Sequence, residues 1–177
     1  EKAQWKAQQS VKRSYQEEVL DKLSKIVPEG FQLKQYGALP YDEARYPLYA
    51  VVPINIDSNK PSALITGGVH GYETSGVQGA LQFIEAKLAT FKDLFNIVVV
   101  PCVSPWGYET INRWNPLALD PNRSFYPGSP ATESAQLIKL VNELALPLAL
   151  HIDLHETTDT DNSEFRPALA ARDGVTH

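Results

Sequence analysis

The feature that most restricts the fold is an alternation. Three short apolar runs, at residues 63–66, 96–103 and 148–154, are separated by two stretches with apolar residues at helical spacing, 76–88 and 132–144. Short apolar runs bounded by turn residues read as buried strands. In residues 76–88, Val77, Ala80, Leu81, Ile84 and Leu88 recur along one face of a helix. Strand–helix alternation predicts an α/β fold with a largely parallel central sheet. A β-branched, alternating run at 48–56 adds a strand, and the turn-rich stretch 31–47 has room for a short one. Residues 1–26 carry Val11, Tyr15, Val19, Leu20 and Leu23 at helical spacing, which predicts one amphipathic N-terminal helix ended by Pro28 and Gly30. Residues 105–130 are rich in proline and aperiodic, which predicts a long loop of the kind that carries function.

Composition narrows the function classes. The net charge of -5 offers no basic footprint for nucleic acid and no polybasic membrane patch. Cys102 is the single cysteine, so no internal disulfide framework exists, and its apolar surroundings predict a small buried hydrophobe. The longest apolar stretches, 97–103 and 144–150, fall far short of the roughly 20 residues a spanning helix needs. A soluble protein is expected, with the cytoplasm favoured, and with neither nucleic acid nor membrane as partner. The chain reads as a single domain over residues 1–177, with its N-terminal helix within 1–30. It contains no methionine and opens in helix-like sequence, which reads as the N-terminal part of a longer domain.

In sheets of this class, ligands bind beyond the carboxyl ends of strands. The segments that follow the predicted strands, 67–76, 103–130 and 153–161, hold nearly all the chemically versatile side chains. In the first, His70 and Glu73 lie three apart just before a helix, so both side chains point the same way. An imidazole and a carboxylate are ordinary zinc ligands, and no Gly-Lys-Ser/Thr follows to suggest a phosphate loop. In the third segment His151, Asp153 and His155 share one strand face. His155 stands at the strand end as the expected third ligand. His151 lies deeper and reads as a packed or supporting residue, and Asp153 as a partner for an imidazole's outer nitrogen. Two histidines and one glutamate leave a fourth position for water, as in catalytic zinc sites. The middle segment supplies Arg113 and Arg123. An arginine fork beside a metal suits a substrate carboxylate, and a second arginine suits the oxyanion that forms on water attack.

Together, His70-x-x-Glu73, Arg113, Asp120-Pro121-Asn122-Arg123-Ser124-Phe125 and Asp153-Leu154-His155 resemble the zinc metallocarboxypeptidase family over about residues 63–161. The resemblance implies an α/β fold with a mixed, largely parallel central sheet flanked by helices in three layers, and one zinc ion held by His70, Glu73 and His155. It implies Asn122 and Arg123 on the substrate's terminal carboxylate, and Arg113 as a catalytic residue at the scissile carbonyl. It also implies a glutamate general base well downstream. After His155 the chain has only Glu156 and Glu164. Glu156 points away if the strand continues, so the base is expected beyond His177. The expected function is hydrolysis of a C-terminal peptide bond by metal-activated water. The alternative is an N-acyl amino acid deacylase of the aspartoacylase or succinylglutamate desuccinylase type, whose Asp-Leu-His-x-Thr pattern residues 153–157 fit equally well. A third reading is an inactive module that binds zinc or peptide termini. The expected partner is a peptide or acyl amino acid with a free carboxylate. The acidic stretch Asp153, Glu156, Asp159, Asp161, Asn162 and Glu164 is expected to form a solvated rim neutralised by Arg166 or water, without a second metal.

Overall fold

A computed structural model of the chain describes residues 2–156. Its strands are β1 (Phe31–Ala38), β2 (Pro47–Pro53), β3 (Ser62–Gly67), β4 (Asn96–Val100) and β5 (Leu148–Leu154). They form one sheet in the order β1-β2-β4-β3-β5. β1 and β2 pair as an antiparallel hairpin, and β2 meets β4 antiparallel where Val51 faces Val99. β4, β3 and β5 run parallel to one another. The sheet is therefore mixed, as the resemblance implies, with the parallel heart that the alternation predicts.

The helices are α1 (Lys2–Gln8), α2 (Asp21–Ile26), α3 (Thr74–Ala86), α4 (Leu88–Phe91), α5 (Pro105–Thr110) and α6 (Thr132–Leu144). Phe83 of α3 and Phe91 of α4 meet Ala63, Ile65 and Ile97 on one face of the sheet. Leu137 and Val141 of α6 lie against Leu64 on the other. Every residue of β3 and β4 is consequently buried. That is why these strands read as unbroken apolar runs, since a parallel strand covered on both sides has no polar face. Among the described residues β5 is an outer strand, and its Leu148, Leu150 and Ile152 are exposed.

The structure departs from expectation in three places. Residues 1–26 do not form one helix. α1 stops at Gln8, and a wide-turned helical segment, Gln16–Leu20, later runs on into α2. The intervening chain is captured by α5. Backbone N–H groups of Lys12 and Arg13 donate to the Glu109 carbonyl at 2.8 and 3.3 Å, and the Tyr15 N–H donates to Glu109 Oε1 at 2.9 Å. The Arg13 guanidinium lies 3.8 Å from the centre of the Tyr108 ring and donates to Thr74 Oγ1 and to the Gly71 and Tyr108 carbonyls. These tertiary bonds satisfy the backbone where the helix would have, so a moderate helical pattern loses.

The second departure is in 105–130, which is not wholly loop. α5 occupies its start, with Pro105 at the first helical position, where a missing N–H costs nothing. A single 3₁₀ turn, Pro121–Arg123, follows. Both are too short to display a period. The third is β1, a full eight-residue strand where only a short one is expected. The long segment is fastened to α6 by Glu133, which is buried and accepts from Tyr41 Oη and, at 3.0 Å, from Asn115 Nδ2. Burial pushes the Glu133 carboxyl up, and the two donors only partly oppose this.

Two close backbone approaches seat the loop after β3 and the start of α3. A Cβ on Gly71 would fall 2.1 Å from the Tyr108 nitrogen, and one on Gly76 would fall 2.3 Å from the Leu154 carbonyl oxygen. The first turn of α3 thus rides directly on the end of β5. Gly76→Ala is expected to cost about 1–3 kcal/mol, the usual penalty for forcing atoms into a packed site. Gly79→Ala, whose Cβ would meet only Leu154 Cδ1 at 4.0 Å, is expected to be neutral or to stabilise by up to about 1 kcal/mol through helix propensity. Paired thermal melts check this, and equal effects would contradict the packing.

Candidate metal centre

β3 ends at Gly67, and Gly68 turns the chain through a positive φ of +61° that side chains resist. The turn delivers His70 to the carboxyl end of the sheet and Glu73 to the residue before α3. β5 runs beside β3 with Thr66 opposite Asp153 and Gly67 opposite Leu154. His155 therefore leaves its strand next to the same loop. His70 Nδ1 lies 2.8 Å from Glu73 Oε1, and His155 Nδ1 lies 2.7 Å from Glu73 Oε2. One ligand atom from each of the three residues falls within 4.8 Å of the others. The His70 and Glu73 side chains are 3% and 2% exposed, whereas His155 is 36% exposed. The cluster has a buried floor and an open side.

The outer nitrogens are also occupied. His70 Nε2 is 3.0 Å from Asp120 Oδ1, and His155 Nε2 is 2.7 Å from Asp153 Oδ2. A carboxylate on the outer nitrogen fixes the ring so that the other nitrogen's lone pair faces inward, the usual support for a metal-bound histidine. Two such imidazoles and a carboxylate, with one side open, form a donor set that fits zinc.

Asp120 ties this centre to the arginine segment. Its Oδ1 accepts from His70 and from the Asn122 backbone N–H at 2.9 Å, and its Oδ2 accepts from Arg113 Nε at 3.2 Å, with Nη2 of the same guanidinium also 3.2 Å away. Burial pushes the Asp120 carboxyl up, but the His70 hydrogen bond and charge, the Arg113 charge and the Asn122 N–H outweigh it and hold it at about 2. Burial likewise disfavours charge on His70, yet its bonds to Asp120 and Glu73 leave its pKa raised. Of the residues expected to act on substrate, Arg113 is buried beside Asp120, Asn122 is half-buried, and Arg123 is exposed on the 3₁₀ turn.

Asp120 has no role that the sequence alone assigns. Its signal was there: an Asp before Pro-Asn-Arg is a natural cap for a short turn, and its side chain caps Asn122. Asp153 stands where a supporting carboxylate is expected, and Thr66, which no motif singles out, donates to its Oδ1 at 2.7 Å. His151 is exposed and contacts Thr66 rather than the cluster. Glu156 accepts from the backbone N–H and hydroxyl of Ser75 at 2.9 and 2.8 Å, at the start of α3. The rest of the acidic rim, Asp159, Asp161, Asn162, Glu164 and Arg166, lies outside the described residues. Among the described residues, no helix is long and apolar enough to cross a membrane.

Comparison with known proteins places these features in a family. Residues 59–173 match the model for the succinylglutamate desuccinylase/aspartoacylase catalytic domain, which is more than half of the chain. No curated protein matches the sequence. Among solved structures, the chain resembles a candidate metallopeptidase from Shewanella denitrificans OS217, with a TM-score of 0.68 and 24% identity over 78% of this chain and 52% of that one. It resembles carboxypeptidase A from Helicoverpa armigera, with a TM-score of 0.63 and 18% identity over 83% of this chain and 46% of the other. Bovine thrombin-activatable fibrinolysis inhibitor, solved with a tick carboxypeptidase inhibitor, gives a TM-score of 0.63 at 15% identity, over 87% and 62% of the two chains. At these identities the likeness establishes the α/β fold, and the chain spans only about half the length of the structures it matches. On the family match, with the fold in agreement, the chain belongs to the succinylglutamate desuccinylase/aspartoacylase catalytic-domain family of zinc-dependent hydrolases.

Proposed function

We propose that His70, Glu73 and His155 hold one zinc ion, and that this centre hydrolyses an amide bond in a small substrate bearing a free carboxylate. The observation that carries the reading is the convergence of the three ligand atoms, with both imidazoles backed by carboxylates. Held there, zinc would supply a Lewis acid for the substrate carbonyl and for activating a water. The protein's own groups do the rest. The buried floor of His70 and Glu73 holds the ligand set rigid, and the exposed edge of His155 leaves room for substrate.

Arg123 and Asn122 are assigned to the substrate carboxylate. Arg123 stands exposed on a turn whose position Asp120 fixes, so its planar fork is accessible for a bidentate bond. Arg113 is assigned to the scissile carbonyl, where its positive charge offsets the developing oxyanion. The salt bridge to Asp120 keeps that charge at the centre. Each carboxylate of the centre among the described residues already serves another partner: Glu73 the histidines, Asp120 His70 and Arg113, Asp153 His155 and Thr66, Glu156 Ser75. None of them is assigned as general base.

The family match favours the N-acyl amino acid deacylase over the C-terminal peptidase, the reverse of the order the motifs suggest. The peptidase stays as the second reading, because the Asn122-Arg123 clamp suits the terminal carboxylate of a peptide equally well. A panel of N-acyl amino acids and C-terminally varied peptides, assayed on the full protein, separates them. Turnover of the acyl amino acids alone is the expected result.

Two further outcomes are expected. Metal analysis of the wild type should find one zinc per chain, and His155→Ala should lose it at concentrations that saturate the wild type. Unchanged stoichiometry would remove His155 from the ligand set, and a second equivalent would contradict a single-ion site. Arg123→Ala should weaken substrate binding by about 2 kcal/mol, the lower end for a charge pair buried on binding, because Arg123 is exposed in the free protein. Converting the substrate's carboxylate to an amide should weaken wild-type binding similarly. Equal inhibition constants for acid and amide would exclude the clamp.

A further inference from the structure

The two histidines of the centre are held differently. His70 is enclosed, with a 3% exposed side chain, so packing restricts its ring. His155 is 36% exposed, so its orientation depends on hydrogen bonds rather than on walls. Its outer nitrogen is bound to Asp153, itself on the outer strand of the sheet and 23% exposed. What holds Asp153 therefore decides how well His155 is aimed.

Thr66 does this. It is fully buried near the end of β3, directly opposite Asp153 in the parallel register. Its hydroxyl donates to Asp153 Oδ1 at 2.7 Å, and its oxygen stands 2.9 Å from His151 Nε2. A hydroxyl has one proton, and an ionised carboxylate has none to give. The Thr66 proton is therefore committed to Asp153, and the Thr66 oxygen is left to accept. Acceptance requires a proton on His151 Nε2. The contacts then converge on Asp153: His151 Nε2–H to Thr66 and Thr66 O–H to Asp153 Oδ1 from one side, and His155 Nε2, 2.7 Å from Asp153 Oδ2, from the other. A proton on His155 Nε2 in that last contact leaves the lone pair of His155 on Nδ1, the nitrogen that faces Glu73. Without Thr66, Asp153 Oδ1 would face a mostly apolar groove of about 390 Å³ lined by Leu64, Val69, Leu137 and Leu148. With no fixed donor that oxygen would be left to water in the groove, and the side chain would be free to turn and release His155.

We propose that Thr66 and His151 are positioning residues for the metal centre, aiming His155 by fixing the Asp153 carboxylate on which their hydrogen bonds converge. The inference rests on His155 being a metal ligand.

The test measures zinc affinity by chelator competition, alongside melting of the metal-free protein. Thr66→Val keeps the shape and removes the hydroxyl. It should weaken zinc binding by about 10-fold or more, the range found when an outer partner of a metal-bound histidine is lost. Thr66→Ser should restore most of the affinity. His151→Gln, which retains an N–H, should bind zinc like the wild type, while His151→Leu should bind more weakly. Metal-free melting temperatures should stay level across the two His151 variants, which change an exposed side chain. Wild-type affinity in Thr66→Val, or failure of Thr66→Ser to restore it, would overturn the proposal. If Thr66→Val does not fold, wild-type affinity in His151→Leu overturns it instead. His155→Ala keeps the two ideas apart. Loss of zinc there with no effect of Thr66→Val would sink the positioning role and leave the ligand assignment standing. Retention of zinc there would sink the ligand assignment.

Discussion

The parallel pairing of β3 with β5 is the constraint on which the site depends. Thr66 lies opposite Asp153 and Gly67 opposite Leu154, so two segments 87 residues apart leave the sheet side by side. A slip of one residue would turn Asp153 and His155 to the other face of the sheet. The register is reinforced from above, because Gly76 lets α3 sit against the Leu154 carbonyl and Glu156 reaches back to Ser75 at the start of that helix. Strand end and helix start are thereby locked together, with Glu73 between His70 and His155.

Around this frame, charge is arranged in pairs. Asp120 is a carboxylate that burial penalises, and it is matched by imidazole and guanidinium groups within 3.2 Å, while buried Glu73 lies between the Nδ1 atoms of the two histidines. Buried carboxylates persist only with such partners. Asp120 has a second consequence. By accepting from His70, Arg113 and the Asn122 N–H at once, it makes the position of His70 and the position of the arginine turn a single structural variable. The proposed reaction, which aligns a substrate carboxylate with the scissile carbonyl, would gain from that coupling, since small misplacements cost much of the rate.

Elsewhere, a similar use of buried carboxylates holds the irregular parts of the chain. Glu109 gathers the N-terminal segment, Arg45 and Tyr46 onto α5, and Glu133 gathers Tyr41 and Asn115 onto α6. These two residues explain how a long segment with little regular structure presents Arg113 and Asn122 in a defined place. Loops that carry function are commonly fixed by a scaffold in this manner.

Much of this was legible in the sequence. The apolar runs of β3, β4 and β5 and the period of α3 and α6 reflect burial on both faces of a parallel sheet, and burial patterns are local. His70, Glu73 and His155 were nameable because their spacing and their place after strands are properties of the chain itself. Other features were decided only by the tertiary structure. The break after Gln8 arises because Glu109 offers the backbone of Lys12 and Arg13 a partner that no local pattern records. The short helix α5 and the turn at Pro121–Arg123 have too few residues for a period to form. Asp120 and Thr66 took on their roles only when strands and loops distant in sequence met, because a hydrogen bond's direction and partner depend on three-dimensional register rather than on residue type.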